Sequence, residues 1–276
     1  MRISELPDSW FAHPEARSRY TPDSEILFAE PADLERARLS IAIRPNNLMR
    51  QRPVHLALRI GRLGPGERLH LNLVSGDRDC CVELGDHVQG DWSAWLWKGG
   101  RLRIGSGSTS LGTRLMICEG GSVTIGPDAM LSETVFLQCG DGNHALVCLA
   151  SGRQLNQAPP AIELAEHVWL GRNVTVVASG RRLRIGAGSV VGIGSVLARS
   201  LPAGVVAAGA PARVVRTGAS WCRSPEADPA EIQRLRQLLV AAEPAAQATR
   251  PRRWLAARLR RILGHPHPAG GDSTVA

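Results

Sequence analysis

A six-residue beat of aliphatic residues restricts the fold of this chain more than any other feature. Ile125, Leu131 and Leu137 lie six apart, as do Leu164, Leu170 and Val176, and then Ile185, Val191 and Leu197. The residue after each is small at seven of the nine positions, among them Gly126, Ser132, Ala165 and Gly171. A longer period is superimposed: Leu84 to Ile104 spans 20 residues, and Ile104 to Ile125 and Leu164 to Ile185 each span 21. An amphipathic helix would repeat at about 3.6 residues and a half-buried strand at about 2. A six-residue beat nested in a longer repeat describes a solenoid whose coil has three short flat faces. One aliphatic residue per face points inward and stacks on its equivalent in the next coil. The small residue that follows fits a corner where a bulky Cβ would clash. A single coil cannot bury its own interior, so the coils must stack. A β-sandwich would show strict alternation with turns every 8–12 residues or so, and would not hold this register three times over.

The composition agrees. The chain has 276 residues, 43% of them hydrophobic but only 4% aromatic. A narrow prism has room for Ile, Leu and Val and little for rings. No uncharged apolar run reaches the ~18 residues of a membrane span, and the start lacks the apolar stretch of a secretory signal, so neither is expected. The net charge of +8 is unevenly placed: residues 249–263 hold six Arg and no acid, and the body is close to neutral. A nucleic-acid binder spreads its cations over one face of a domain, so no nucleic-acid partner is expected. The six cysteines (80, 81, 118, 139, 148, 222) include no C-x-x-C pair and read as reduced thiols, several buried as small hydrophobes.

Two stretches, HVWLGRNVTVV (167–177) and IGAGSVVGIGSVLARSLPAGVVAAGAPARVVR (185–216), closely resemble the C-terminal half of the hexapeptide-repeat acyltransferases. The resemblance is strong over 120–216, weaker over 80–120 and absent before about residue 60. It implies an all-β solenoid, a left-handed parallel β-helix. The handedness comes from the resemblance, because the general rule for parallel crossovers gives the opposite hand. The step from Val177 to Ile185 is three residues longer than the family's spacing, so 178–182 is expected to bulge from a corner. The expected organisation is a β-rich N-terminal cap (1–60), the β-helix (61–217) with a loop at 138–161, C-terminal helices (218–263) and a disordered tail (264–276).

Within the cap, PADLERARLSIAI reads as a short helix leading to a strand, and Asn46-Asn47 after Pro45 as a turn. Trp92, Trp95 and Trp97 are expected to share one strand face, as packing or as a sugar-stacking platform. Asp228 with Glu231 forms a capping box around Pro229, opening a helix whose apolar stripe is Ile232, Leu235, Leu238 and Leu239. A second segment, WLAARLRRIL (254–263), is a basic amphipathic helix that can pack on protein or lie on an anionic membrane surface.

The repeat is interrupted once, between Leu137 and Ile162, and a long excursion from a regular scaffold is a usual place for function. The stretch from His144 through Gly152 to Asn156 resembles the family's active-site loop, which implies His144 as general base. A sugar hydroxyl must lose its proton as it attacks, and an imidazole can take that proton and pass it to the departing thiolate. Asp141 is a candidate to orient the ring, although the family places its acid two residues before the His rather than three. Where the family often has a further acid this chain has Cys148. Asn156 is a candidate to hydrogen-bond acceptor or loop.

For an acetyl-CoA co-substrate the resemblance implies Trp169 beside the pantetheine channel, Gly192 and Gly194 along the groove, and Arg213 on the phosphates. Trp169 reads equally as corner packing and Arg213 as a solvated cation. No metal is expected: His87, His144 and His167 show none of the close spacing of a zinc site.

The function these features imply is an acetyl-CoA-dependent O-acetyltransferase acting on a carbohydrate hydroxyl of a bacterial polysaccharide or its precursor, cytoplasmic and homotrimeric. An amino-sugar N-acyltransferase and a catalytically inactive scaffold of a glycan-synthesis complex stand as alternatives.

Overall fold

The computed structural model describes residue 2 and residues 5–6, 8–11, 14–30, 38–45, 53–75, 78–141 and 144–247. It is a left-handed β-solenoid of seven coils. One face is a seven-stranded parallel sheet built from Glu25–Phe28, Leu56–Ile60, Cys80–Leu84, Arg101–Ile104, Ser122–Ile125, Ala161–Leu164 and Arg182–Ile185. The register brings Leu58, Val82, Leu102, Val123, Ile162 and Leu183 into one inward column. Ile60, Leu84, Ile104, Ile125, Leu164 and Ile185 form a second. All twelve are buried, and each contributes roughly 1.5–3 kcal/mol by leaving water.

The β-rich N-terminal region is wound into the solenoid rather than laid across its end. Glu25–Phe28 pairs in parallel with Leu56–Ile60, and Arg38–Pro45 with Arg68–Ser75, so coils begin well before residue 61. The six-residue beat misses them because their strands are longer. Arg38–Pro45, Arg68–Ser75, Gln89–Leu96 and Thr109–Ile117 run eight or nine residues where the later coils use two short strands. Above them the chain divides into Met130–Leu131 with Phe136–Cys139, Trp169–Leu170 with Thr175–Ala178, and Val190–Val191 with Val196–Leu197. The dividing corner is made by Thr134, Asn173 and Gly194, all at positive φ. The parallel stack ends in an antiparallel hairpin, Val205–Gly209 with Ala212–Thr217.

The three tryptophans do not share a face. Trp92 is buried in the core and donates its Nε1–H to the Gln89 carbonyl at 3.0 Å, whereas Trp95 and Trp97 meet on the other side with ring centroids 6.4 Å apart. Residues three apart in a strand point to opposite sides.

The expected bulge at 178–182 belongs to a wider pattern. Ser179–Arg181 turns between two four-residue strands, and the coils below turn at the same corner through Trp97–Gly100 and Cys118–Gly121.

At the first corner of each coil the left-handed position is held by His87, Gly107, Asp128, His167, Gly188 and Gly204 in turn. Residues 219–223 run down this line as a strap. The Ala219 N–H reaches the Gly204 carbonyl at 3.0 Å, and Ser220 Oγ donates to the Gly188 carbonyl at 2.9 Å. Trp221 stacks on His167 with ring centroids 4.1 Å apart, and its carbonyl accepts from His167 Nε2 at 2.8 Å. Arg223 donates to Asp128 at 2.8 Å and to the Gly107 carbonyl at 3.2 Å.

Helix α1 (Pro229–Gln247) then returns along the same corner. Asp228 caps it through the Ala230 N–H at 3.0 Å, but Glu231 pairs with Arg234 rather than closing the expected box. Leu235 is buried and Leu239 lies against Gly188 and Gly204. Leu235 and Leu239 of the apolar stripe therefore pack on the chain's own solenoid, while Ile232 stays exposed. The expected second helix at 254–263, the tail at 264–276, the helix at 31–37 and the turn at Asn46-Asn47 lie outside the described residues.

Asp128 anchors both strap and helix. Burial acts to raise its carboxyl, but hydrogen bonds from His167 at 2.6 Å and from Arg223 outweigh that and hold it at about 2, against an ordinary value of 3.8. A depressed folded-state pKa gives stability that is present above the unfolded value and is lost as the folded one is approached. Thermal melts of the parent should therefore lose stability as pH falls from about 4 to about 2. Asp128→Asn, which lacks this titration, should be less stable at neutral pH and flatter across that window. Parallel profiles for the two would show that the carboxylate contributes nothing to docking.

Candidate active site

The long excursion leaves the solenoid at its third corner, between Phe136–Cys139 and Ala161–Leu164. Its central part is a small hairpin. Val147 and Gln154 form an antiparallel bridge, the Cys148 N–H meets the Arg153 carbonyl at 2.9 Å, and the Leu155 N–H meets the Leu146 carbonyl at 2.7 Å. The hairpin projects apolar side chains into solvent: Leu149 is 94% exposed, and Leu146, Val147 and Leu155 are about half exposed. Cys148 lies at the start of its turn, where hydrogen bonding from Ser151 draws the thiol below its ordinary range. All six cysteines are free thiols, and Cys80, Cys118 and Cys139 are buried.

His144, Asp141 and Asn156 are brought together, as the sequence predicts. They line one pocket of about 350 Å³ with Glu119, Gln154, Gln157 and the floor residues Gly140 and Gly180. His144 is exposed there. Asp141 does not orient the imidazole. Its Oδ2 accepts from Asn156 Nδ2 at 2.9 Å and from Ser179 Oγ at 2.5 Å, and among the described residues the His144 ring has no hydrogen-bond partner.

Asn156 holds the loop. Its Nδ2 also donates to the His144 carbonyl at 2.9 Å, and its Oδ1 accepts from the Leu146 N–H at 3.0 Å and from Gln154 Nε2 at 3.1 Å. The side chain thus fixes the backbone on both sides of Ala145. Sequence reasoning missed Ser179, Glu119 and Gly180, which come from neighbouring coils. The unusual spacing at 178–182 was the only signal pointing to two of them.

Trp169 and Gly192 lie elsewhere, in a mainly apolar groove of about 450 Å³ with Leu111, Ser132, Val190 and Ile193. Trp169 donates its Nε1–H to Ser132 Oγ at 3.2 Å and meets Trp221 with ring centroids 5.9 Å apart. It therefore packs at the corner and faces the groove at once. Gly194 makes the second corner and is not part of the groove wall. Arg213 is exposed on the terminal hairpin opposite Ala208, one coil beyond Gly192. Among the described residues no group of three His, Cys, Asp or Glu could hold a metal ion.

Comparison with known proteins bears on this arrangement. No protein-family model matches the chain. Among solved structures, the polysialic acid O-acetyltransferase OatWY superposes with a TM-score of 0.56 at 22% identity, covering 80% of this chain and 96% of that one. The polySia-specific acetyltransferase NeuO superposes with a TM-score of 0.50 over 80% and 99% of the two chains, also at 22% identity. The chain is a hexapeptide-repeat left-handed β-helix, the fold of these acetyltransferases.

Curated sequences agree. The putative lipopolysaccharide biosynthesis O-acetyl transferase WbbJ of Escherichia coli K12 is 36% identical over 103 residues, which is 34% of this chain and 50% of that protein. A polysialic acid O-acetyltransferase of Escherichia coli O1:K1 is 32% identical over 147 residues, 53% of this chain and 46% of that protein. The chain spans about half the length of the curated relatives it matches.

Replacing Asn156 with Asp removes both Nδ2 donors and sets a second carboxylate against Asp141. The hairpin should come away from its corner, and tryptic cleavage after Arg153 should speed up several-fold or more while the solenoid stays intact. Unchanged cleavage would mean that Asn156 does not hold the loop.

Proposed function

We propose that this protein is an acetyl-CoA-dependent O-acetyltransferase that modifies a carbohydrate hydroxyl of a polysaccharide or its precursor, with His144 as general base. The observation that carries this reading is an exposed imidazole whose flanking backbone is clamped, set in a pocket lined by amides and carboxylates. Such groups suit the donors and acceptors of sugar hydroxyls. The relatives reported above carry the names of O-acetyltransferases, which favours oxygen over nitrogen as the attacking atom.

His144 removes the hydroxyl proton as the sugar oxygen bonds to the thioester carbonyl carbon, and returns it to the sulfur as the carbon–sulfur bond breaks. Acetyl-CoA supplies the activated acetyl group. The groove under Trp169 suits a pantetheine arm, since its lining is mainly aliphatic and aromatic, with the Ser132 hydroxyl and the Arg172–Glu133 ion pair as its polar groups. Arg213 is available to fork onto phosphates.

The proposed base and the proposed groove belong to different edges of the prism. Between them lies the strand Phe136–Cys139, four residues long, which spans about 13 Å. In the proposed homotrimer the base of one copy would meet the groove of the next. Each copy also exposes two apolar surfaces that can meet: the hairpin tip at Leu146, Val147 and Leu149, and the groove rim at Leu111 and Ile193, which are 62% and 71% exposed. Such a head-to-tail contact gives a closed ring where its rotation closes, as the proposed trimer requires.

Among the described residues no helix is long and apolar enough to cross a membrane. The proposal places the enzyme in the cytoplasm, where the basic segment 254–263 can lie on the anionic inner face of the membrane.

Calorimetric titration with acetyl-CoA, followed by thiol release over a panel of neutral and acidic glycans, tests the reading. Acetyl-CoA should bind the parent and His144→Ala alike and bind Arg213→Ala several-fold more weakly. His144→Ala should lose about a hundredfold or more in kcat. A folded, oligomeric protein that binds no acetyl-CoA would leave the scaffold as the better account.

A further inference from the structure

We propose that the turn Ser179–Arg181 is the seat of the His144 loop, and that Ser179 is a positioning residue acting through Asp141 and Asn156. This rests on the reading of His144 as the base. The turn lies in the stretch whose spacing departs from the family's, and nothing in the proposed chemistry uses it directly.

The links are all hydrogen bonds. Ser179 Oγ donates to Asp141 Oδ2 at 2.5 Å, and the same oxygen accepts from Asn156 Nδ2 at 2.9 Å. The second hydrogen of Nδ2 goes to the His144 carbonyl, and Oδ1 takes the Leu146 N–H. A carboxylate can only accept, so Asp141 dictates which end of the Asn156 amide faces it. With Nδ2 turned to Asp141, Oδ1 is left for Leu146. A flipped amide would set oxygen against oxygen at both Asp141 and the His144 carbonyl. The carboxylate is in turn fixed by a hydroxyl from the next coil. His144 thereby takes its position from the rigid solenoid, although it stands on a projecting loop.

Gly180 supplies the second half of the seat. Its φ is +51°, and a Cβ there would stand 2.8 Å from Asn156 Cα, inside normal contact. Any side chain would lift Asn156 off the turn.

The test combines amide exchange at Leu146 with steady-state kinetics on the full chain. Ser179→Ala should speed exchange of the Leu146 amide about tenfold or more, since a hydrogen bond to a charged group is lost. It should lower kcat by a similar factor and leave the KM for acetyl-CoA within about twofold. Ser179→Thr keeps the hydroxyl and should restore both. Gly180→Ala should act in the same direction as Ser179→Ala. Exchange within about twofold of the parent in Ser179→Ala overturns the proposal, as does faster exchange with kcat untouched. Full transfer by His144→Ala is a different failure: it overturns the general-base reading, and the exchange rate then judges the seat alone.

Discussion

Everything in this molecule depends on the stacking of one coil on the next. A coil has no interior of its own; its inward residues become buried only when the equivalent residues above and below close over them. The columns through Leu58 to Leu183 and through Ile60 to Ile185 are that closure. The corners obey the same constraint. Backbone of successive coils approaches so closely at Gly85, Gly105, Gly126 and Gly186 that a Cβ would fall 2.2–2.7 Å from the next coil. Side chains with chemistry are therefore restricted to outward positions, to corner tips and to excursions.

Much of this could be read from the chain. The six-residue beat located the coils between Ile125 and Leu197 because each short face places a single aliphatic residue inward, so the pattern is written directly in residue spacing. The first coils were not legible. Their long strands follow ordinary alternation, and the partners of Glu25–Phe28 and Arg38–Pro45 lie about thirty residues away in sequence. Alternation names a strand without naming its neighbour. The tryptophans show a smaller failure of the same kind, since their spacing was read without the strict two-residue parity of a strand.

The candidate site was legible in its members and less so in their roles. His144, Asp141 and Asn156 meet because one loop carries all three. Their hydrogen bonds depend on what the next coil presents, and Ser179 stands 38 residues from Asp141. A carboxylate near a histidine in sequence suggests a ring-orienting partner; here it orders an amide, and the amide orders the backbone. The groove residues divide in a similar way. Trp169 and Gly192 face one space, whereas Gly194 turns the corner outside it.

The strap from Ala219 to Arg223 bears on how the molecule comes apart. A linear stack can fray from either end, one coil at a time, because each coil touches only its neighbours. The strap runs against the direction of winding and joins the coil of Gly204 to that of Gly107 through Gly188, His167 and Asp128. The last coils cannot peel away while those contacts hold. The C-terminal half, which carries both the loop and the groove, therefore opens as one cooperative block, and loss of the strap would turn a single transition into stepwise unzipping.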